Sequence, residues 1–273
     1  MVEVLVHFVA PALVGVLIGI ASGLLGIGGG TVMVPIFRLA FGMSATMSTA
    51  TSLFAIIPTS ISGAISHVKG KTCIPALGIA AGLGGACMSP IGVWLAQLSP
   101  DWLVMLAAAL IIGYSAINMF KKAFKISRAG QPAAGVDAAA PTADDSSLSR
   151  KQLLQGAAIG LVAGLASGYV GVGGGFIMVP LMLSIIGIPM RKASGTSLIA
   201  VMILAIPGVI EQGIIGNINY LAGIAIVIGT IPGAVIGARL VTKVPERTLR
   251  LLFGCFLIVA AVMLVLNEVG IFG

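Results

Sequence analysis

The chain has 273 residues, of which 58% are apolar and only 8% charged, against roughly 25% charged in an ordinary soluble domain. Too few polar side chains exist to cover a water-facing surface, and apolar content is too high for disorder, so the composition indicates a polytopic, all-α membrane protein. The formal charge of +7 does not point to nucleic acid: six of the fifteen Lys and Arg residues lie between Lys121 and Lys151, and most others flank apolar runs, where they act as orientation signals.

The opening residues Met1-Val-Glu-Val-Leu-Val-His7 lack the basic region of a secretory signal, so the first apolar run is expected to be a retained span. In chain order the apolar pieces of the first half fall at about 4–26, 30–42, 45–67, 73–97 and 102–120. Residues 121–152 form the only long polar stretch, basic at both ends and rich in Ala, Pro, Gly and Asp between. That composition fits a flexible linker, expected to be cytoplasmic. The second half repeats the pattern at about 153–171, 175–188, 194–214, 219–241 and 248–267. A span needs about 20 residues, so the second piece of each half is short, and Pro35 or Pro180 argues against a plain straight helix there. About eight full spans and two short or broken helices are expected, ten segments in all.

The chain contains itself twice. Sliding it by 145 positions puts Gly15, Gly19, Ser22, Gly23, Gly26 and Gly28-Gly29-Gly30 on Gly160, Gly164, Ser167, Gly168, Gly171 and Gly173-Gly174-Gly175. Met33-Val-Pro35 falls on Met178-Val-Pro180, Thr51-Ser-Leu53 on Thr196-Ser-Leu198, and Gly92 and Pro100 on Gly237 and Pro245. One register over roughly 100 residues means duplication. The organisation is therefore a first transmembrane repeat over 1–120, the linker over 121–152, and a second repeat over 153–273.

Charge placement bears on whether the short pieces cross. If they only dip in and return, five basic residues (Arg191, Lys192, Lys243, Arg247, Arg250) face the outer side. If they cross, each repeat has an odd number of spans, thirteen of the fifteen basic residues become cytoplasmic, and both termini face outward. The positive-inside rule favours crossing, and odd tandem repeats are inverted, the layout of many secondary transporters.

Three consecutive glycines at membrane depth need protein around them, because irregular backbone needs partners there. Gly28, Gly29, Gly30 and Thr31, with Gly173, Gly174 and Gly175, can expose backbone N–H groups at the start of a helix whose dipole favours anions. A tight turn with close helix contact is the structural alternative. Neither run continues as Gly-Lys-Ser/Thr, and Thr31 and Phe176 stand where a dinucleotide fingerprint needs glycine, so nucleotide binding is excluded. The hydroxyl groups at Ser48-Thr-Ala-Thr-Ser52 and Ser194-Gly-Thr-Ser197 recur at the start of the next span. Thr51, Ser52, Thr196 and Ser197, kept in both copies, are candidates to hold oxyanion oxygens, with helix capping as the alternative.

Ionisable residues inside spans are few and are functional hypotheses by default. His67 and Glu211 are candidates for carrying a coupling proton, with Gln212 in the place of His67. The plainer reading of these residues is interfacial, at span ends. Arg38 can attract an anion or snorkel to headgroups; its match is Leu183. Gly15-xxx-Gly19-xxx-Gly23, with its copy, reads as close helix packing. Cys73, Cys87 and Cys255, odd in number and without CxxC spacing, indicate neither disulfide nor zinc. No HExxH motif, no paired carboxylate in spans and no Ser/His/Asp grouping suggests an enzyme. No cofactor, metal, nucleic acid or partner protein is indicated; the expected partners are a small anion and the lipid bilayer, and a homo-oligomer is left open.

Gly23-Leu-Leu-Gly-Ile-Gly-Gly-Gly-Thr-Val-Met-Val-Pro35 and Gly168-Tyr-Val-Gly-Val-Gly-Gly-Gly-Phe-Ile-Met-Val-Pro180 resemble the doubled signature of the sulfite exporter TauE/SafE family, as does Gly195-Thr-Ser-Leu198. Ala50 replaces that last glycine in the first copy. The resemblance implies a secondary transporter of the bacterial inner membrane that moves sulfite or organosulfonate-type anions, often outward. The residues themselves point to an inverted-repeat protein with two anion cradles. A proton-coupled carrier is the expected function, and a passive anion channel or uniporter for small oxyanions or carboxylates the alternative.

Overall fold

The computed structural model describes residues 10–128 and 149–268. Among them every regular element is helical. The first half holds α1 (Ala10–Leu25), α2 (Gly30–Phe41), α3 (Ala45–Lys69), α4 (Pro75–Leu98) and α5 (Asp101–Arg128). The second holds α6 (Arg150–Val170), α7 (Gly175–Leu181) running into a π turn at Met182–Ile186, α8 (Met190–Ile215), α9 (Tyr220–Leu240) and α10 (Glu246–Glu268). The ten apolar pieces read from the sequence are these ten helices. Seven, α3–α6 and α8–α10, are long and apolar enough to cross a membrane; α2 and α7 are the short pair, and α1 is described only from Ala10. The chain is a multi-pass membrane protein. The linker expected over 121–152 falls largely outside the described residues, with α5 continuing to Arg128 and α6 opening at the Ser149–Gln152 capping box.

Helix ends follow local chemistry, and they do so twice. The Asp101 carboxylate, at the start of α5, accepts from the Ala45 N–H at the start of α3 (3.3 Å). Glu246, 145 positions on, accepts from the Met190 N–H at the start of α8 (3.4 Å). Each places negative charge against the positive end of a helix. Gly42 and Gly187 close the short segments in left-handed conformation, as C-terminal glycines do. Lys71, at φ 54°, is the only described non-glycine with positive φ, and its match 145 positions on is Gly216, at φ 84°.

Packing between the halves is reciprocal. The α1 glycines lie against α9: a Cβ on Gly15 would sit 2.5 Å from the Ile226 carbonyl oxygen, on Gly19 2.8 Å from Thr230 Cα, and on Gly23 2.9 Å from Ala238 N. On the other side α6 lies against α4, where a Cβ on Gly160 would sit 2.9 Å from Ala81 Cα and on Gly164 2.5 Å from Gly85 Cα. Residue numbers rise together in both pairs, so each pair is parallel. No side chain separates these backbones, as the small-residue series predicts.

The central helices α3 and α8 run in opposite directions. Leu53 touches the position of Gly208, Gly63 that of Leu198, and His67 that of Gly195. The first two contacts are the same contact with the halves exchanged. By the same measure α3 is parallel to α9 (Thr51 with Gly223, Gly63 with Ala234), and α4 is parallel to α8 (Gly78 with Ile199, Gly82 with Ile203). Large apolar side chains such as Leu17, Leu83, Leu110, Leu154 and Ile214 point outward and are more than half exposed, which suits a surface facing lipid.

Candidate anion site at the paired glycine turns

The two glycine runs are turns, and their backbone explains their composition. Gly26, Gly28 and Gly29 have φ of 76°, 80° and 87°; Gly171, Gly173 and Gly174 have 72°, 86° and 68°. An L-residue with a Cβ pays about 1–2 kcal/mol at each such position. The turns also meet each other. A Cβ on Gly30 would lie 2.6 Å from the Val172 carbonyl oxygen, and one on Gly175 2.9 Å from Ile27 Cα. Positive φ and mutual contact together leave glycine as the residue that fits, so the structural reading of these runs is satisfied in full.

The turns nevertheless leave polar groups over. Helices α2 and α7 begin at this junction. Among the described residues, the N–H groups of Gly28, Gly29, Gly30 and Thr31 have no acceptor in the protein. In the second turn the N–H groups of Gly173, Gly174 and Phe176 likewise have no acceptor, and only that of Gly175 is used locally, donating to the Gly173 carbonyl at 2.8 Å. Around the junction the hydroxyls of Ser22, Thr31, Ser52, Ser60 and Ser167 are fully buried and unpartnered. Ser60 Oγ lies 3.5 Å, and Ser22 Cβ 3.6 Å, from where a Cβ would stand on Gly28 and Gly29 respectively. Buried polar groups without partners are uncommon in native proteins and call for a reason. A desolvated anion, which accepts hydrogen bonds from N–H and O–H donors, supplies one.

The hydroxyls singled out in sequence divide on inspection. Thr51 Oγ1 accepts from the Asn219 N–H (3.0 Å), and Thr196 Oγ1 accepts from the Ile74 N–H (2.9 Å). Both threonines thus pin the residue just before α9 or α4. Ser197 Oγ donates to the carbonyls of Gly26 (2.7 Å) and Ser194 (2.8 Å), bracing the first turn. Ser52 is left without a partner. None of this cluster caps a helix: the N-cap of α3 is Ser44, which accepts from the Met47 N–H, and that of α8 is Pro189.

His67, in the last turn of α3, is buried with both ring nitrogens bonded, Nε2 to the Gly23 carbonyl and Nδ1 to Thr72 Oγ1, each at 2.7 Å. Because a carbonyl only accepts, Nε2 carries the hydrogen. Gln212 repeats the arrangement, its Oε1 accepting from Asn217 Nδ2 at 2.8 Å. These two side chains fasten helix ends, and His67 does so at Gly23, one turn before the first glycine turn. Glu211 lies near the end of α8 with Oε2 buried and unpartnered. Arg38 is half-buried in the last turn of α2. Sequence reasoning passed over Ser22, Ser60 and Ser167 as site residues. Ser22 and Ser167 carried a signal, since they match across the repeat; Ser60, opposite Ala205, carried none.

The model of the family described as "Sulfite exporter TauE/SafE" matches residues 11–264. The chain belongs to this family. Among curated relatives, the "Probable membrane transporter protein YunE" of Bacillus subtilis (strain 168) is 27% identical over 97% of this chain and 99% of its own length. "Probable membrane transporter protein YdhB" of the same organism is 28% identical over 87% and 92%. A "Probable membrane transporter protein" of Haemophilus influenzae is 29% identical over 93% and 97%. No solved structure matches. The TauE/SafE assignment makes the chain a membrane transporter, which suits buried, unpaired donors at the meeting point of two half-helices.

Proposed function

We propose that this protein is a secondary transporter that exports small sulfur-containing anions, sulfite or organosulfonates, across the bacterial inner membrane by alternating access between its two repeats. The observation that carries the reading is the set of unpaired N–H and hydroxyl donors buried where the glycine turns meet. Such donors neutralise an anion through directed dipoles without a buried Lys or Arg. Family membership supports the transport half of the statement.

The arrangement of helices supports inverted repeats. If α2 and α7 dipped in and returned, α3 and α8 would run the same way through the membrane, and α4 and α8 opposite ways. If each short segment counts as a crossing, α3 and α8 are antiparallel and α4 and α8 parallel, which are the senses in which these helices pack. The linker then lies in the cytoplasm with Lys69, Lys71, Arg191, Lys192, Lys243, Arg247 and Arg250, and both termini lie outside, in keeping with the positive-inside rule. Rocking of one repeat against the other about the shared junction would expose it to alternate sides.

Glu211 is the group we assign to a coupling proton, because its unpartnered buried oxygen sits in a span, where ionisable groups mark ion pathways. His67 is held at both nitrogens and fits a fastening role better. The test is flux of sulfite and small sulfonates through purified protein in sealed liposomes, with and without a pH gradient. Saturable, gradient-driven flux is expected. Flux that does not saturate and ignores the gradient would instead mean a passive anion channel.

A further inference from the structure

Each glycine turn rests on the central helix of the other half. A Cβ on Gly26 would lie 2.5 Å from Ser194 Cα in α8, and one on Gly171 2.5 Å from Thr49 Cα in α3. Ser194 and Thr49 match across the repeat, and three residues beyond them stand the matched serines Ser197 and Ser52. These two serines bond differently. Ser197 Oγ lies 2.7 Å from the Gly26 carbonyl oxygen, to which it donates, and so ties one half to the other. Ser52 Oγ is fully buried without a partner, so the equivalent tie to the Gly171 carbonyl is not made. The neighbouring Thr51 and Thr196 do bond alike, each accepting from the residue before the next helix. The mismatch therefore belongs to the ties and the turns they hold, where the Gly30 N–H is free and the matched Gly175 N–H donates to Gly173.

We propose that Ser197 and Ser52 are positioning residues of the transport cycle that tie the two halves in turn: Ser197 holds Gly26 in the arrangement described here, and Ser52 holds Gly171 in its counterpart, where Ser197 lets go. This rests on the alternating-access reading above and adds which flank is fastened. Inverted halves that exchange conformations open the junction to the opposite side. In the inverted arrangement α8 begins at the cytoplasmic face and α3 at the outer face, so the tie that is made fastens the cytoplasmic flank. The missing tie leaves the outer flank loose. One buried serine-to-carbonyl bond is made in each state, so the pair favours neither, and a buried hydroxyl without a partner is explained as a tie awaiting the other state.

The test uses two thiol probes at matched, fully buried positions, Ser48→Cys on the outer flank and Ala193→Cys on the cytoplasmic flank. Each is introduced separately into the full chain lacking its native cysteines, and labelling by a small water-soluble thiol reagent is timed in detergent. Ser52→Ala removes a bond only from the counterpart state, so Ser48→Cys should label faster and Ala193→Cys more slowly. Ser197→Ala should do the reverse, each shift reaching about fivefold for the loss of one hydrogen bond. With both serines replaced by alanine, each state loses one tie and the rates should return toward those of the native serines. Rates that rise together at both probes mean general loosening and overturn the proposal. Lowered sulfonate affinity in Ser52→Ala with neither labelling rate moved would make Ser52 a substrate ligand and overturn it equally. Sulfonate counterflow by the native chain, run in parallel, reports on transport separately: counterflow without opposed shifts removes the ties and leaves the carrier standing, whereas opposed shifts without counterflow leave the ties and remove the sulfonate reading.

Discussion

Replacing both Thr51 and Thr196 with valine separates two roles that these hydroxyls could play. Valine keeps the shape and removes the oxygen, so the N–H groups of Asn219 and Ile74 lose the acceptors found at 3.0 and 2.9 Å. Ile74 is 2% exposed, so water does not replace the lost partner there. A buried donor left unpaired costs about 1–3 kcal/mol. The two sites lie on different central helices and share no partner, so the costs should roughly add, to about 2–6 kcal/mol for the double variant. The assay is thermal unfolding of detergent-purified protein, followed by loss of the monodisperse peak, alongside anion binding at a temperature where each variant is folded. Each single variant should show a lower midpoint, the double variant the lowest, and Thr→Ser at both sites should restore most of the loss. Binding by the folded protein should persist, because these oxygens are pins rather than ligands. An unchanged midpoint with abolished binding would refute the assignment and return both threonines to the substrate.

Other consequences of the geometry are equally direct. Lys71→Gly should stabilise the protein by about 1 kcal/mol, since a left-handed non-glycine residue is relieved of its strain, read as a raised unfolding midpoint. Gly164→Ala puts a methyl group 2.5 Å from Gly85 Cα and should cost about 1–3 kcal/mol by overpacking, whereas Gly113→Ala, with nothing within 4 Å, should be neutral or stabilising. In a background lacking the native cysteines, Lys69→Cys should label only from the cytoplasm and Ile214→Cys only from outside, because α3 and α8 end on opposite faces. Labelling of both from one side would contradict inversion. Glu211→Gln should abolish acceleration of flux by a pH gradient while leaving anion binding intact, measured in the same liposomes used for the native chain.

Much of this architecture was legible in the sequence, because its causes are local or repeated. The ten apolar pieces became ten helices, since lipid requires each spanning backbone to satisfy itself. The glycine runs announced their turns, and six of their glycines do adopt positive φ. The GxxxG series became the backbone contacts of α1 with α9 and of α6 with α4. What was hidden depends on pairing between distant parts of the chain. Nothing near Thr196 says that its oxygen meets the N–H of Ile74, 122 positions away. The sequence offers His67 as a proton carrier but does not show that Gly23 and Thr72 bond to either side of its ring. Ser60 is an ordinary helical serine in sequence, and only its lack of any partner beside Gly28 distinguishes it. The Ser48 and Ser194 groups suggested caps, but a hydroxyl one turn inside a helix bonds back to a carbonyl instead, as Ser194 does to Met190.

Alternating access at a shared central junction is tested most directly by counterflow. Liposomes containing the purified protein are loaded with an unlabelled sulfonate and diluted into a trace of the same sulfonate carrying a label. The account predicts transient accumulation of label far above the equilibrium level, because each outward passage of unlabelled anion returns the site to capture a labelled one. Label that rises only to equilibrium, at a rate indifferent to the internal load, would contradict a carrier and mark the glycine junction as part of an open pore.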